Sequence, residues 1–423
     1  MQRLTRVDQA SGAINNRRLV IQLLRDGGPM SRRQLAQQTG LSKSSLTYIT
    51  RELMEHHVVR TVGKLDRPGV GKKQTLLELN PDRGWVVGVG MEGDSASMVL
   101  LDAVGRVIDR DRVQIRERHE MLPSILRGRV DAWRARHGQL PGRLLGVGMG
   151  VSGVVDVQAG RVLKSTQLRT EGWVLRDALA QAFDAPALID NDSNLAMLAE
   201  ARLGDCGRYP TFVYLLMNVQ EKGSHYAIHS VGSSLMIGGQ LHRGAHFGAG
   251  EVDTLMLPDS PHARVSPEQL LSLSDPGGTF DDAYHPIADY IVRPITAIVD
   301  LLDPSALVIG GNLCLANRAM LGYIQKQVNA AIVHVPDRHL EVRSSKFMDH
   351  GVSTGAAIAA LDAALLQVGE DVCTGYPPPS PLPSLYPRSC PRAWLRRRTS
   401  ATLFCRRYCR TYIYPSEPLP APP

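Results

Sequence analysis

A cluster of polar residues that could bind a polyhydroxy ligand lies in the middle of the chain. Asp190, Asn191 and Asp192 follow a short apolar segment, and Glu251 follows a glycine later in the sequence. Amide and carboxylate side chains can serve neighbouring hydroxyl groups in pairs, and a carboxylate near a hydroxyl can accept its proton. The alternative is that the first three residues only cap a helix starting near Asn194. The residue types of Asn191, Asp192 and Glu251 agree with contact to such a ligand.

A second set of functional residues lies near the N-terminus, on the third of three predicted helices. Ser42 can cap this helix, in which Leu46, Ile49 and Leu53 share one face. The opposite face carries short polar and basic side chains that could reach the phosphates and base edges of DNA. With Arg32 from the second helix, the residues assigned to DNA are Lys43, Ser44, Ser45, Thr47, Tyr48 and Arg51.

Local signals delimit the helices that would position this surface. Apolar spacing predicts a first helix over 14–25, and the capping-box pattern from Ser31 to Gln34 opens a second. Gly40 suits the left-handed conformation of the tight turn before the third helix. A strand over 58–62, a loop over 63–73 and a strand over 75–79 follow. Residues 13–80 are therefore predicted to form a winged helix-turn-helix domain.

The loop between these two strands is a cationic hairpin tip of the kind that can enter a minor groove. It holds Arg67, Lys72 and Lys73 among Gly and Pro, and these three residues are also assigned to double-stranded DNA. Residues 1–84 carry 15 Lys/Arg against 7 Asp/Glu, whereas 85–370 carry 25 against 32. The basic head could meet a polyanion and the acidic middle would be repelled by one. The alternative is a plain three-helix bundle with a solvated basic surface.

From Trp85 onward, short apolar strands alternate with helices, which predicts an α/β architecture with helix-covered sheets. The predicted strands 86–89 and 98–101 pair with each other. Helices are predicted over 122–137, 174–183, 194–203, 280–302, 317–333 and 352–366. The chain shows no stretch of 18 apolar residues and no apolar run at its start. We therefore expect a cytoplasmic protein without a membrane partner.

Taken in order, these segments resemble the ROK family of repressors and sugar kinases. The matching motifs are 35–42 in the head, 88–90, 189–194, 241–245, 250–251, 302–304 and 309–311, spread over residues 13–367. The resemblance implies a two-lobed actin-like (RNase H-like) sugar-kinase fold over 84–367 that closes on a sugar, usually in a homodimer or homotetramer. It also implies that Asp192 corresponds to the general base of the kinases, and that Asn191 and Glu251 hold other sugar hydroxyls.

The chain departs from the kinases of this family on the nucleotide side. Where those kinases have an Asp before a Gly-rich phosphate loop, this sequence has Gly90, and Glu92 stands where a small residue is expected. A carboxylate near a triphosphate is repulsive unless a metal bridges them. The second phosphate loop, at 217–232, is about ten residues longer than usual, with 220–230 as the insert. We therefore predict a protein that is not an enzyme, with no catalytic residue and no cofactor.

The zinc cluster of the family is also missing from the sequence. Family members usually carry a His shortly after Gly-Glu and then a Cys-rich cluster. Here Glu251 is followed by Val252, Asp253 and Thr254, and no cysteine lies between Cys206 and Cys314. Because zinc sites of this type need thiolate or imidazole ligands, we predict no metal site.

Residue usage changes abruptly at the C-terminal end. Residues 371–423 contain 12 of the 27 prolines and four of the six cysteines, with 8 Lys/Arg against 2 Asp/Glu. One interpretation is a disordered basic tail that adds non-specific affinity for nucleic acid. The other is an out-of-frame translation, which the abrupt change favours. We assign this segment no function.

The leading hypothesis is a sequence-specific transcriptional regulator of sugar-metabolism genes, expected to be a repressor. Its affinity for operator DNA would change when a sugar or sugar phosphate binds between the lobes. A rival from another class is an active ATP-dependent sugar kinase with a DNA-binding head. A third hypothesis is a DNA-binding regulator that no longer senses a sugar, as the missing zinc cluster suggests.

Overall fold

The computed structural model describes residues 9–65, 74–92, 94–115, 119–138, 140–252, 264–313, 315–332 and 338–374. Contacts divide this part of the chain into two compact units. The first runs to Leu195 and resumes at Val352, and the second comprises Ala196–Gly351. Several residues discussed above lie outside the described part, namely Arg67, Lys72, Lys73, Asp253, Thr254, Cys314 and 375–423.

Three helices and a small sheet form the N-terminal head of the first unit. The elements are α1 (Gln9–Gly27), β1 (Met30–Ser31), α2 (Arg32–Thr39), α3 (Lys43–Glu55), β2 (Val59–Leu65) and β3 (Gln74–Leu79). The strands pair antiparallel in the order β1-β3-β2. β1 was not predicted, because two residues cannot show a strand period. α1 also begins earlier than the predicted helix.

The predicted caps of the head are confirmed. Ser31 Oγ accepts a hydrogen bond from the Gln34 amide at 3.3 Å, and Gln34 Oε1 accepts one from the Ser31 amide at 2.9 Å. Gly40 has φ 70°, in the left-handed region. Ser42 Oγ accepts the Ser45 amide at 3.1 Å, which fixes the start of α3. Leu46, Ile49 and Leu53 are buried, as their spacing predicts.

We expect Ser42→Ala to destabilise the first turn of α3 by about 1 kcal/mol, because one orphan amide loses its acceptor. Hydrogen exchange of the amides at 43–46 measures this as faster opening. Thr47→Ala is the matched control, since its hydroxyl only bonds the Lys43 carbonyl of the same helix. Equal acceleration in both variants would show that the cap is not what holds the turn.

The first unit continues into an α/β layer. Its elements are β4 (Gly84–Glu92), β5 (Ser95–Asp102), β6 (Val107–Gln114), α4 (Leu122–His137), β7 (Arg143–Val151), β8 (Val154–Asp156), β9 (Arg161–Ser165), β10 (Thr170–Trp173), α5 (Leu175–Phe183) and β11 (Ala187–Asn191). The main sheet has the order β11-β7-β4-β5-β6, with β4, β7 and β11 parallel, and β8–β10 form a separate antiparallel sheet. Trp85 and Trp133 are fully buried in its core.

The second unit is built in the same way. Helix α6 (Asp192–Arg202) leads into it, and it contains β12 (Phe212–Lys222), β13 (His225–Ile237), β14 (Gln240–His242), β15 (Arg264–Val265), α7 (Pro267–Ser274), α8 (His285–Leu302), β16 (Ala306–Gly310), α9 (Arg318–Ala331) and β17 (Glu341–Ser344). Its sheet has the order β14-β13-β12-β16-β17. α8 buries an apolar face that includes Ile291 and Ile295.

The last helix, α10 (Gly351–Thr374), packs on the main sheet of the first unit through glycines. A Cβ at Gly88 would lie 1.9 Å from the Ser353 carbonyl oxygen, and one at Gly148 would lie 2.0 Å from that of Ala356. The segment Met348–Val368 is apolar enough to cross a membrane by composition. However, 67% of its apolar window is buried within the fold, which is typical of a core helix.

Two sequence predictions were wrong. The segment 217–232 is not a loop, because β12 and β13 pair from Met217–Val231 to Lys222–His225, with a register shift after Asn218 and a turn at Gly223 (φ 66°). The polar run from Gln220 to His225 hid the strand signal, because it shows no alternation of apolar and polar residues. The last helix was also predicted to end at Leu366, whereas α10 continues to Thr374.

Candidate nucleic-acid interface and sugar-binding residues

The predicted DNA-binding side chains of α3 form an exposed surface of the head. Lys43, Ser44 and Thr47 are exposed, and Tyr48 keeps 50% of its surface accessible. Ser45 is half-buried, and its hydroxyl lies 2.8 Å from Ser42 Oγ. A helix with one buried apolar face and an opposite face of small polar groups can approach the floor of a major groove.

Aromatic and charged contacts hold the later part of this surface. The Arg51 guanidinium lies 5.5 Å from the centre of the Tyr48 ring, a cation–π distance. A hydrogen bond to Glu52 raises the pKa of the Tyr48 phenol. Glu52 is held in turn by Arg17 of α1, with Nη2 2.6 Å from the carboxylate. These contacts orient Tyr48 and Arg51 before any ligand arrives.

Arg32 differs from the other predicted DNA contacts. Its Nε donates to Thr50 Oγ1 at 2.7 Å, so this guanidinium ties the start of α2 to the middle of α3. Its remaining N–H groups can still reach a phosphate, because a guanidinium carries five donors. The structure therefore gives Arg32 a role in orienting α3.

Sequence reasoning missed the contacts that fasten the head to α10. The Arg25 guanidinium of α1 pairs with the Asp362 carboxylate, and Arg18 Nε donates to the Leu366 carbonyl at 3.3 Å. These contacts join residues more than 330 positions apart, and such long-range pairs produce no periodic pattern in a single sequence. The head and the last helix of the unit are thus joined by side chains at two points.

Asn191 and Asp192 lie side by side at the carboxyl end of β11. Asn191 Oδ1 accepts from the Asn194 amide at 3.2 Å and from Ser193 Oγ at 2.7 Å, and its Nδ2 donates to the Gly153 carbonyl at 3.0 Å. Asn191 therefore caps α6, as the alternative interpretation of the sequence held. Capping leaves one Nδ2 proton for a ligand. Asp192 is 7% exposed and its Oδ1 accepts the Ser193 amide at 2.8 Å.

Glu251 belongs to the second unit, where it is exposed. Gly250 before it has φ 93°, and a Cβ there would lie 2.1 Å from the Ser233 carbonyl oxygen. Ser233 Oγ also donates to the Gly250 carbonyl at 2.9 Å. This close approach to β13 fixes the backbone from which the Glu251 side chain projects. No three His, Cys, Asp or Glu residues in the described part of the chain lie together as metal ligands.

Gly90, the predicted first phosphate-loop position, is tightly packed. Gly90 lies in β4, and a Cβ there would meet the Val352 Cβ at 2.8 Å and the Ser353 amide nitrogen at 3.0 Å. β4 then pairs with β5 up to Glu92–Ser95, so the chain reverses in a tight hairpin. An aspartate side chain at Gly90 would have to displace the start of α10.

Comparisons with known proteins agree with this architecture. Residues 86–262 and 269–363, more than half of the chain, match the ROK family, and residues 15–60 match the winged helix-turn-helix DNA-binding family. The fold superimposes on the crystal structure of a ROK family transcriptional regulator, described as a homologue of the Escherichia coli MLC protein. The TM-score is 0.67 at 19% identity, covering 86% of this chain and all of that one. The predicted fold class is confirmed.

Two curated relatives are regulators. The chain is 29% identical over 239 residues to the xylose repressor of Caldicellulosiruptor bescii, covering 56% of this chain and 57% of that protein. It is 24% identical over 393 residues to the DNA-binding transcriptional dual regulator NagC of Escherichia coli K12, covering 83% and 94%. The chain thus spans just over half the length of the first of these relatives.

Proposed function

This chain belongs to the ROK family, and we propose on this premise that it is a sequence-specific DNA-binding regulator of sugar-metabolism genes, acting as a repressor. The observation that carries the proposal is the exposed polar face of α3, presented by a capped helix-turn-helix. The two relatives reported above, a xylose repressor and the transcriptional dual regulator NagC, support a regulator of this class of gene. A DNA partner implies a cytoplasmic protein.

The α3 surface would contact the bases, and the cationic loop over 63–73, the wing of the domain, would bind phosphates. Lys43, Ser44, Thr47 and Tyr48 would face the major groove, with Arg51 on the adjacent backbone. A homodimer or homotetramer would place two such helices on the half-sites of a palindromic operator. The proposal keeps the predicted division into a DNA-binding domain at 13–80 and a sugar-binding domain at 84–367.

A sugar or sugar phosphate would act as the effector. Asn191 and Asp192 from the first unit and Glu251 from the second would bind its hydroxyl groups. A sugar that binds one conformation of the protein more tightly than another would shift the population toward that conformation. The operator affinity would then change by the difference in sugar affinity between the two conformations.

Catalysis is not part of the proposal. The packing of Val352 and Ser353 on Gly90 leaves no room for a metal-organising aspartate, and the second phosphate loop is a β-hairpin. The rival, an active sugar kinase with a DNA-binding head, is tested by a coupled ATP assay across a sugar panel. We expect no sugar-dependent ADP release. Turnover with any sugar would favour the kinase.

Specific binding is tested by a gel-shift titration of the full chain on DNA from upstream of its own gene. A shuffled duplex of the same composition is the competitor. We expect the upstream duplex to bind at least about a thousandfold more tightly, the usual margin of specific over non-specific binding. Equal affinity for both duplexes would refute a sequence-specific regulator.

The double variant Lys72→Ala/Lys73→Ala should weaken binding to both duplexes alike. Each lost phosphate contact removes about 0.9 from the slope of log affinity against log salt, so the slope should fall by about 2. Lys164→Ala/Lys326→Ala, at exposed positions outside the head, removes the same charge as a control. A selective loss on the upstream duplex would instead assign base contacts to the wing.

A further inference from the structure

We propose that the first unit contains a second ligand site, a cavity that binds a small anion with an apolar or aromatic body. The cavity has a volume of about 550 Å³, within the range of sites for small organic molecules. All of its lining residues belong to the first unit. The proposal does not depend on the DNA-binding function, because it concerns a ligand and not an operator.

The cavity lies at the end of the main sheet away from the residues assigned to sugar. It is lined by the first residues of the parallel strands, including Trp85 of β4, Leu144 of β7 and Ala187 of β11. Asn191 and Asp192 follow the carboxyl end of β11. A ligand here would therefore bind independently of a sugar at those residues.

Apolar groups form the body of the cavity. Trp85 and Val130 are buried beneath it, and Phe183 closes one side. Small side chains of α10, Ala360 and Ala364 among them, leave the space between helix and sheet. Such a lining favours a flat apolar or aromatic group over a hydrated sugar.

Four arginines are also among the residues that line the cavity, namely Arg83, Arg127, Arg134 and Arg143. Two carboxylates oppose them: Asp184 lines the cavity, and Asp131 lies 3.1 Å from Arg127 and 3.9 Å from Arg134. The arginines and carboxylates at the cavity therefore sum to a net positive charge. Guanidinium groups bind carboxylate or phosphate through paired hydrogen bonds.

Two of these arginines are placed for an anion in different ways. Arg134 lies 5.3 Å from the centre of the Trp85 ring, so its charge is held over the apolar wall. Arg143 is exposed at the start of β7, and no described residue forms an ion pair with it. An incoming anion would therefore gain Arg143 without displacing a carboxylate of the fold.

The buried residue Arg83 links the cavity to the end of α3. Arg83 is 8% exposed and lines the cavity, and its Nη1 donates to the His56 carbonyl at 2.7 Å. His56 is the C-terminal cap of α3. An anion that draws the Arg83 guanidinium toward the cavity would weaken this bond and loosen the end of α3.

The C-terminal segment is a poor occupant for this cavity on charge grounds. Residues 375–423 contain eight arginines and one glutamate. A cationic segment would be repelled by an arginine-rich lining, whereas a small anion would be attracted. The charges thus select a diffusible acidic molecule, such as an aryl carboxylate or aryl phosphate.

Calorimetry of the full chain with 1-naphthyl phosphate tests the site, with uncharged 1-naphthol as the matched ligand. We expect the phosphate to bind and the naphthol to bind at least about tenfold more weakly, since only the phosphate gains charge-assisted hydrogen bonds. Arg143→Gln should weaken the phosphate about tenfold. Ala364→Phe, which fills the cavity without changing its charge, should abolish binding.

Arg161→Gln is the control, because Arg161 is also an exposed arginine of the same unit and lies outside the cavity. It should leave the affinity unchanged. Equal binding of the two ligands, no binding of the phosphate, or equal losses in Arg143→Gln and Arg161→Gln would overturn the site. Hydrogen exchange at 53–58 should also quicken when the phosphate binds. Binding without that change would overturn the link through Arg83.

Discussion

Replacing Ser44 by Glu is expected to weaken binding to the operator by at least about a hundredfold while leaving the head folded. Ser44 is exposed in the first turn of α3, on the face assigned to the major groove. A carboxylate at this end of a helix is favourable for the fold, because the unpaired amides carry partial positive charge. The same carboxylate would face the phosphates and base edges of DNA, where negative charge is strongly repelled.

Gln22→Glu is the matched control for Ser44→Glu, since it makes the same charge change at an exposed position of α1. Fluorescence anisotropy on the upstream duplex should show affinity within about twofold of the wild type. Circular dichroism should show unchanged helix content in both variants. Similar losses in both would mean that net charge, and not the α3 face, governs DNA binding.

Gly148→Ala should destabilise the first unit by about 3 kcal/mol or more, the upper range for overpacking. The added Cβ would stand 2.0 Å from the carbonyl oxygen and 2.6 Å from the carbonyl carbon of Ala356. Both are backbone atoms of α10, so a rotamer change cannot relieve the overlap. The whole helix would have to move off the sheet, with loss of the core that it covers.

Gly146→Ala tests whether the close approach itself is responsible. Gly146 lies in the same strand, β7, and its Cβ would meet the Pro186 carbonyl oxygen only at 3.4 Å. The urea midpoint of unfolding of Gly146→Ala should stay close to that of the wild type, whereas the midpoint of Gly148→Ala should fall clearly. A similar shift in both would indicate a general cost of alanine in this strand.

The elements of the head were predictable because their signals are local. Ser31, Gly40 and Ser42 act within four residues of their own positions, and the structure shows each in the predicted role. α4 was also predicted with its observed bounds, since its apolar positions repeat with helical spacing. Local chemistry of this kind can be read from one sequence.

What the sequence could not show depends on contacts between distant segments. The pairing of Arg25 with Asp362, and the approach of Ser353 to Gly88, join residues hundreds of positions apart. The hairpin of β12 and β13 was missed because its outer half is polar, so that its apolar residues show neither the helical nor the strand spacing. The sugar-binding residues were chosen from residue type and resemblance, and they stay predictions. The arginine-lined cavity combines residues of β4, α4, β7, α5, β11 and α10, and it has no sequence signature.

The most direct test of the account is the affinity of the full chain for its upstream duplex, measured with and without each member of a sugar panel. The panel would start with xylose, glucose and N-acetylglucosamine and include their phosphates. We predict that one sugar shifts the dissociation constant by about five- to 150-fold, the range of typical coupling free energies. An affinity that no sugar changes would contradict the account and leave a DNA-binding protein without an effector.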